Sequence, residues 1–306
     1  MNKIQSLPLI KKKALEAGFD DCGVTLPTIL YDEVDFLKKW ILAHKNGNIA
    51  YLEKNIEKKA DPSKIMSDVK SIIVLLHNYY PSVIQQENSY YKIAKYAYSN
   101  DYHHIIKSKA AYFIDSVKKE NPDSKFKIFV DSNVLLEKIW AVRCGLGWTG
   151  KNSLFIHPKL GSFVFICVIL SNLELSQNQL MKDKCGNCNL CMEACPVNAI
   201  EKPYQLNASK CIACKTIEDK NIESPAKKEN NHQWIYGCDI CQNVCPWNKE
   251  IPFTKEENFK PNADLLKMTK NEWENMDKPT FDKLFQYSAI KRIGFEKLKA
   301  NICISA

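Results

Sequence analysis

Seven of the chain's thirteen cysteines fall into two short blocks. In the first, Cys185, Cys188, Cys191 and Cys195 follow the spacing C-x2-C-x2-C-x3-C, and Pro196 comes next. In the second, Cys238, Cys241 and Cys245 repeat the last three of those positions, and Pro246 follows. Three thiolates spaced two residues apart wrap a tight loop around three corners of an iron–sulfur cube. The cysteine before proline leaves that loop and ligates the other cube. The spacing therefore assigns Cys185, Cys188, Cys191 and Cys245 to one [4Fe–4S] cluster, and Cys195, Cys238 and Cys241 to a second. That second cluster lacks a thiolate, because Ile235 stands where a regular block would begin. Cys211 and Cys214 compete for the place, and their spacing does not choose between them. Zinc sites close on paired C-x2-4-C units, and disulfides need an oxidising compartment. The four-cysteine run before proline favours clusters over both.

The chain that must position these thiolates has 306 residues, enough for two or three domains with a real core. Its composition, 45% hydrophobic and 25% charged, is that of an ordinary globular protein. No apolar run at the N-terminus is long enough for a signal peptide, and the longest in the chain, 163–170, is far short of a membrane span. A cytoplasmic protein without membrane contact is expected. The net charge of +8 comes almost wholly from lysine, Arg143 and Arg292 being the only arginines. A basic balance suits polyanionic partners, although a general lysine bias would read the same. The excess lies mainly ahead of the cysteine blocks, so a nucleic-acid surface should include residues 1–180.

Those residues alternate helix and strand signals. Helices are expected over 3–17, ended by Gly18, over 31–45 with Phe36, Leu37, Trp40 and Ile41 on one face, from about residue 49, and over 105–119. Asp61 before Pro62 should cap a short turn. Strands are expected over 19–26, over the buried run 71–76 and over 126–130. Asp131 directly follows the last of these, ahead of a helix expected over 133–144. A carboxylate at the carboxyl end of a buried strand sits where open α/β sheets hold ligands. The plain alternative is a helix cap, a task Ser132 or Asn133 can take instead. A glycine-rich loop, 145–153, lacks phosphate-loop spacing but lets backbone N–H groups approach a ligand closely. Residues 154–156 and 163–170 read as a hairpin feeding the sheet. Tyrosines interleave with Lys92 and Lys95 over 89–104, a pattern suited to stacking, though tyrosines at helical spacing more often pack. After Asn248 the chain reads as short helices over 262–268, 280–287 and 288–301.

Two clusters pass single electrons, and some 180 residues of preceding domain suggest a site to receive them. At this point the chain resembles a known family, the epoxyqueuosine reductases. The resemblance rests on Val130-Asp131-Ser132, the 145–152 loop, Gly161-Ser162, both cysteine blocks with Cys211 sixteen residues after Cys195, Asp101-Tyr102-His103 and the 288–292 stretch. It implies two [4Fe–4S] clusters and a cobalamin that together reduce the epoxide of epoxyqueuosine at the tRNA wobble position. In such enzymes the clusters reduce cobalt to a nucleophilic Co(I), and an aspartate matching Asp131 donates a proton, its pKa raised by burial. Candidate cofactor-binding residues are then Lys54, Tyr102, His103, Asp131, Lys151, Asn152, Ser153, Gly161 and Ser162. The implied architecture is an α/β (α+β) cobalamin and substrate domain over 1–178, a ferredoxin-like twin-cluster domain over 179–250 and a helical segment over 251–306. The partners implied are tRNA and an external low-potential donor such as ferredoxin or flavodoxin, and the chain is expected to be a monomer.

The family pattern also selects Cys211 for the open ligand position. In that pattern Ser and Tyr follow two and three residues behind it, where this chain has Ala213 and Cys214. Near the C-terminus Ala300 replaces a family arginine, and relatives that continue into helical repeats grip tRNA with segments absent here. Corrinoid reductive dehalogenases share the twin-cluster plan but commonly carry a twin-arginine signal. A plain electron carrier would bind no corrinoid, and a nucleic-acid-binding protein with structural clusters would hold tRNA without reducing it. Replacing Cys211 and Cys214 singly with serine tests the ligand choice. The Cys211→Ser protein should lose about half of its iron, while Cys214→Ser keeps it; the reverse pattern would exchange the two roles.

Overall fold

The chain is described here from a computed structural model that covers residues 6–86, 89–220 and 231–305. It opens with α1 (Leu7–Glu16), entered through Pro8; residues 3–5 of the expected helix lie outside the described residues. Next come β1 (Asp21–Thr25), α2 (Tyr31–Leu42) and α3 (Ile56–Ala60). α2 buries Val34 and Leu37 while Phe36 is exposed, so its inner face is rotated from the one expected. Asp61 caps the turn after α3, accepting from Ser63 N at 2.9 Å. Then follow β2 (Ser71–Asn78), β3 (Lys92–Ile93), α4 (Tyr102–Lys118), β4 (Phe126–Val130) and α5 (Glu137–Arg143).

β5 (Trp148–Thr149), β6 (Phe155–Ile156) and β7 (Val164–Ser171) complete this part. β6 pairs with β5 rather than with β7, so the expected hairpin is replaced by a small separate ribbon. The main sheet has the order β1-β2-β7-β4, and every neighbouring pair is antiparallel. The mixed α and β character expected for this region holds. Its strands, however, share no common carboxyl edge of the kind a parallel open sheet provides.

β2 is buried at all eight positions because helices cover both faces of the sheet. Ile73 and Leu75 join Ile10, Phe113 and Val117 of α1 and α4 on one face. Ile72, Val74 and Leu76 join Trp140 and Ala141 of α5 on the other. A strand flanked on both sides needs no polar alternation, which is why it reads as a continuous apolar run.

The cysteine region carries α6 (Leu190–Glu193), β8 (Ile200–Lys202), β9 (Gln205–Leu206), α7 (Ile212–Ile217), β10 (Trp234–Tyr236) and α8 (Ile240–Asn243). β10 pairs in parallel with β3, which brings the second cysteine block onto the segment after β2. The chain ends in α9 (Ala263–Lys267), α10 (Lys270–Glu274), α11 (Lys278–Leu284) and α12 (Gly294–Ser305). Phe281, Phe285, Leu298 and Ile302 of this end pack with Tyr91, Tyr98 and Tyr236 in one core. Tyr91 and Tyr98 therefore serve packing, the plainer of the two readings of the tyrosine-rich stretch. No helix among the described residues is long and apolar enough to cross a membrane.

Leu75 is completely buried at the centre of the sheet. Leu75→Ala should lower the stability measured by urea unfolding by about 2–5 kcal/mol, the transfer loss plus the cavity left behind.

Candidate active site and cluster region

The folded chain brings the cysteines of both blocks, with Cys211, near one another. Burial raises the Cys191 thiol, and the neighbouring Cys245, Cys185 and Cys188 raise it further. These four are the first quartet, drawn together because α6 packs on α8. Cys241 is pushed up to about 12 by burial and then by Cys211, Asp239, Cys191 and Cys195. Cys195, Cys211, Cys238 and Cys241 all line one cavity of about 340 Å³. Cys214 is buried in α7 and is not on that wall. Protein donors already face the sulfurs: Ala199 N lies 3.3 Å from Cys195 Sγ, and the buried indole N–H of Trp148 lies beside Cys185 and holds its thiol down against burial. Such donors stabilise thiolate and cluster charge. No three His, Cys, Asp or Glu side chains among the described residues converge on a single ion. A cube with one iron per thiolate does not require that convergence.

The cluster region is welded to the sheet domain at Gly161 and Ser162. Gly161 has φ +63, and a Cβ there would sit 2.0 Å from Asn248 Oδ1, so only glycine permits this approach. Ser162 N donates to Asn248 Oδ1 at 2.7 Å, while Ser162 Oγ accepts from Asn248 Nδ2 at 2.9 Å and Gln242 Nε2 at 3.0 Å. Asp239 is buried, accepts from Lys95 N at 2.8 Å and lies 3.6 Å from Lys95 Nζ. Each motif of the second block thus has a partner on the first domain.

The cavity's remaining wall is largely apolar, including Leu154, Phe155, Val164 and Ile166, with Asn152, Ser162, Lys138 and Tyr96 as polar points. An apolar slot with a few polar edges, ending at cluster thiols, has the chemistry a flat macrocycle needs. Several predicted cofactor residues lie elsewhere. Lys151 Nζ turns to Cys188 O at 2.9 Å and Asn189 Oδ1 at 3.0 Å, bracing the first cluster loop. Ser153, at φ 63, offers its carbonyl to Lys138 Nζ at 3.3 Å. Lys54 is exposed and off the cavity wall.

Tyr102, His103 and Asp131 come together. Tyr102 stacks on Phe165 of β7, with ring centroids 4.0 Å apart, and its hydroxyl donates to Asp131 Oδ2 at 2.8 Å. His103 Nδ1 lies 2.6 Å from Asp101 Oδ1, and its Nε2 lies 3.4 Å from Asp131 Oδ2. Burial pushes His103 down, but the two carboxylates outweigh it and raise its pKa to about 9. Asp131 is half exposed at its carboxylate. The expectation that burial raises its pKa is overturned: the His103 hydrogen bond leads, with Tyr102 and Arg292 assisting, and the carboxyl falls to about 2. Burial is the opposing contribution and loses to these neighbours.

Four residues of this site were not singled out from the sequence for it. Arg292 Nη1 stands 3.5 Å from Asp131 Oδ2; its rarity as one of two arginines and its place at the end of the 288–292 stretch were the hints to it. Glu137, raised by burial to about 7, accepts from Asp131 N at 3.0 Å and Ser132 N at 2.7 Å. The expected helix over 133–144 therefore begins at Glu137, and Asp131, at φ 50, caps nothing. Lys138 lines the cavity and feels Asp131, Cys211 and Cys241 together. Lys59, 1% exposed, donates to the carbonyls of Asn133 at 2.6 Å, Tyr51 at 3.3 Å and Lys54, tying the turn after α2 to the Asp131 loop.

Residues 184–248 match the family described as "4Fe-4S double cluster binding domain", and residues 59–132 match "Epoxyqueuosine reductase QueG, DUF1730". An epoxyqueuosine reductase from Cellulophaga algicola is 42% identical over 295 residues, covering 96% of each chain. One from Cyclobacterium marinum is also 42% identical, covering 96% of this chain and 94% of that protein. A crystal structure of epoxyqueuosine reductase with a tRNA-Tyr epoxyqueuosine-modified stem loop superposes with a TM-score of 0.89 at 25% identity, covering 97% of this chain and 80% of that one.

The buried ammonium of Lys59 makes its own prediction. Lys59→Met takes the ammonium donor from the carbonyls of Asn133 and Lys54, at about 1–3 kcal/mol each where they stay buried, while Tyr51 O keeps the Lys54 N–H at 3.3 Å. Hydrogen exchange at residues 131–136 should quicken in that variant, and unchanged protection there would remove Lys59 as the tie.

Proposed function

The chain belongs to the epoxyqueuosine reductase family, and on that premise we propose how its own residues divide the work of the reaction. It is an oxidoreductase with a twin [4Fe–4S] domain. Its substrate in this reading is tRNA carrying epoxyqueuosine; support comes from the relative solved with a modified stem loop. Removing the epoxide oxygen as water consumes two electrons and two protons.

Electrons enter in this reading at the first quartet, whose loop carries exposed residues 182–184, 186, 187, 189 and 190. An external low-potential donor such as a ferredoxin or flavodoxin can approach there. They continue to the second quartet, Cys195, Cys211, Cys238 and Cys241, which faces the cavity. Cobalamin bound in that cavity would supply a nucleophilic cobalt centre able to open an epoxide, chemistry that no side chain here provides. Asn152, Ser162, Lys138 and Tyr96 are the residues placed to hold it. The observation that carries this reading is the position of Lys138, which lines the cavity and is within electrostatic reach of both Asp131 and the thiols of Cys211 and Cys241.

The proton is held by a relay rather than by a lone raised carboxylic acid. Near neutral pH Asp131 is ionised and His103 is protonated, and Asp101 fixes the ring through Nδ1. His103 Nε2–H faces Asp131 Oδ2, which hands the proton on to the departing oxygen. An opening epoxide oxygen becomes a far stronger base than either side chain, so the depressed pKa of Asp131 does not block the transfer. Arg292 and the Tyr102 hydroxyl keep the carboxylate aimed between donations.

The pH dependence follows from the signs. His103 is raised from 6.5 to about 9, so its charged pairing is complete below 6.5 and is lost as pH rises through about 9. Asp131 is lowered from 3.8 to about 2, so its contribution is present above 3.8 and is lost as pH falls through about 2. Turnover on epoxyqueuosine tRNA should fall along an alkaline limb near pH 9. Asp131→Asn should keep the iron and bound cobalamin, lose about 100-fold or more in kcat and move that limb to lower pH. Undiminished turnover in Asp131→Asn would exclude the relay.

A further inference from the structure

Two clefts beside Asp131 join into one trench. The nearer, of about 430 Å³, is lined by Asp101, His104, Lys291 and Arg292 among others, and Arg292 reaches the Asp131 carboxylate. The farther, of about 950 Å³, runs along α9, α10 and α11 past Lys267 and Lys283. They share Asn100, Gln286, Tyr287 and Ser288, so the trench is continuous across that wall. We infer that this trench holds the single-stranded nucleotides that flank the reacting one in the substrate RNA. The inference rests on the tRNA reading above.

The chemistry of the walls favours RNA. Tyr287 is 70% exposed on the shared wall, and its carbonyl accepts from Asp101 N at 2.6 Å. That bond ties the backbone carrying this exposed ring to Asp101 of the Asp101–His103–Asp131 relay, where a base next to the reacting one can stack. Lys267, Lys283 and Lys291 have no ion-pair partner among the described residues. The acids nearby are mostly engaged, Asp101 with His103 and Glu272 in a capping box with Thr269, leaving Asp264. The side-chain amides of Asn100 and Gln286 are unbonded among the described residues and present both donor and acceptor to base edges. Stacking ring, free ammonium groups and free amides in one open trench match an unpaired RNA loop better than an acidic peptide, which has no use for the ring or the amides.

Binding of a fluorescent anticodon stem-loop to the cluster-loaded protein, read by anisotropy without turnover, tests this. Tyr287→Ala should raise Kd by about tenfold, the stacking contribution of one base. Lys267→Glu with Lys283→Glu should also weaken binding and reduce the slope of log Kd against log salt by about 1.4 for two lost phosphate contacts. Lys118→Glu is the control, because it lies at the far end of α4, about 24 Å from the trench end of that helix. Iron content and thermal midpoint should stay at wild-type values in all three. Wild-type Kd in both trench variants, or an equal loss in Lys118→Glu, would overturn the inference. A wild type that binds the stem-loop but does not reduce it would count against the proposed reaction alone, and one that does not bind it would sink both.

Discussion

The Ser162–Gln242–Asn248 network is the joint on which the arrangement depends. Ser162 leads into β7, Gln242 lies in α8, and Asn248 follows the cysteine that closes the first quartet. All three side chains are buried, and their amides and hydroxyl satisfy one another. A buried polar network of this kind is stable only when complete, since each orphaned group costs its full desolvation. It therefore holds the second cysteine loop to the sheet in one register. The zero-clearance approach at Gly161 leaves no room for a second register.

From that joint the electrostatics follow. The cavity lined by the second quartet lies between the cysteine loops and the start of β7, and desolvation there raises the thiols of Cys238 and Cys241. Cluster ligation removes the proton of each ligating thiol, which couples cluster insertion to pH. Around the rim the ionisable groups come in opposed pairs. Lys59 and Glu137, both crowded by protein, hold opposite ends of the Asp131 loop, one by giving protons to a carbonyl and the other by accepting from two N–H groups. Asp131 itself sits in the left-handed region, a conformation that a non-glycine residue keeps only when its surroundings over-determine it. The two ties are those surroundings.

The C-terminal helices have a double position in this scheme. Their apolar faces close a core with Tyr91, Tyr98 and Tyr236, and their polar edge forms the trench wall. The turn before α12 delivers Arg292 to Asp131. The same helices thus close a core on one side and line an open cleft on the other.

What the sequence alone determined is what short-range chemistry controls. Cysteine spacing announces a twin-cluster region, because thiolates two residues apart on a tight loop suit the corners of an iron–sulfur cube. The unbroken apolar run of β2 announces a strand covered on both faces, and Asp61 before Pro62 announces its cap. The tertiary structure alone decided the strand order, which made the sheet antiparallel, and the pairing of β6 with β5 instead of β7. It also decided the charge state of Asp131. Sequence reasoning placed a carboxylate at a strand end and expected burial to rule, but a pKa is a sum over neighbours. His103 and Arg292 come from 28 residues before and 161 residues after Asp131. Lys59 and Glu137 were invisible for the same reason. A buried charge reveals its role only through the backbone groups it meets, and no spacing rule carries that information across the chain.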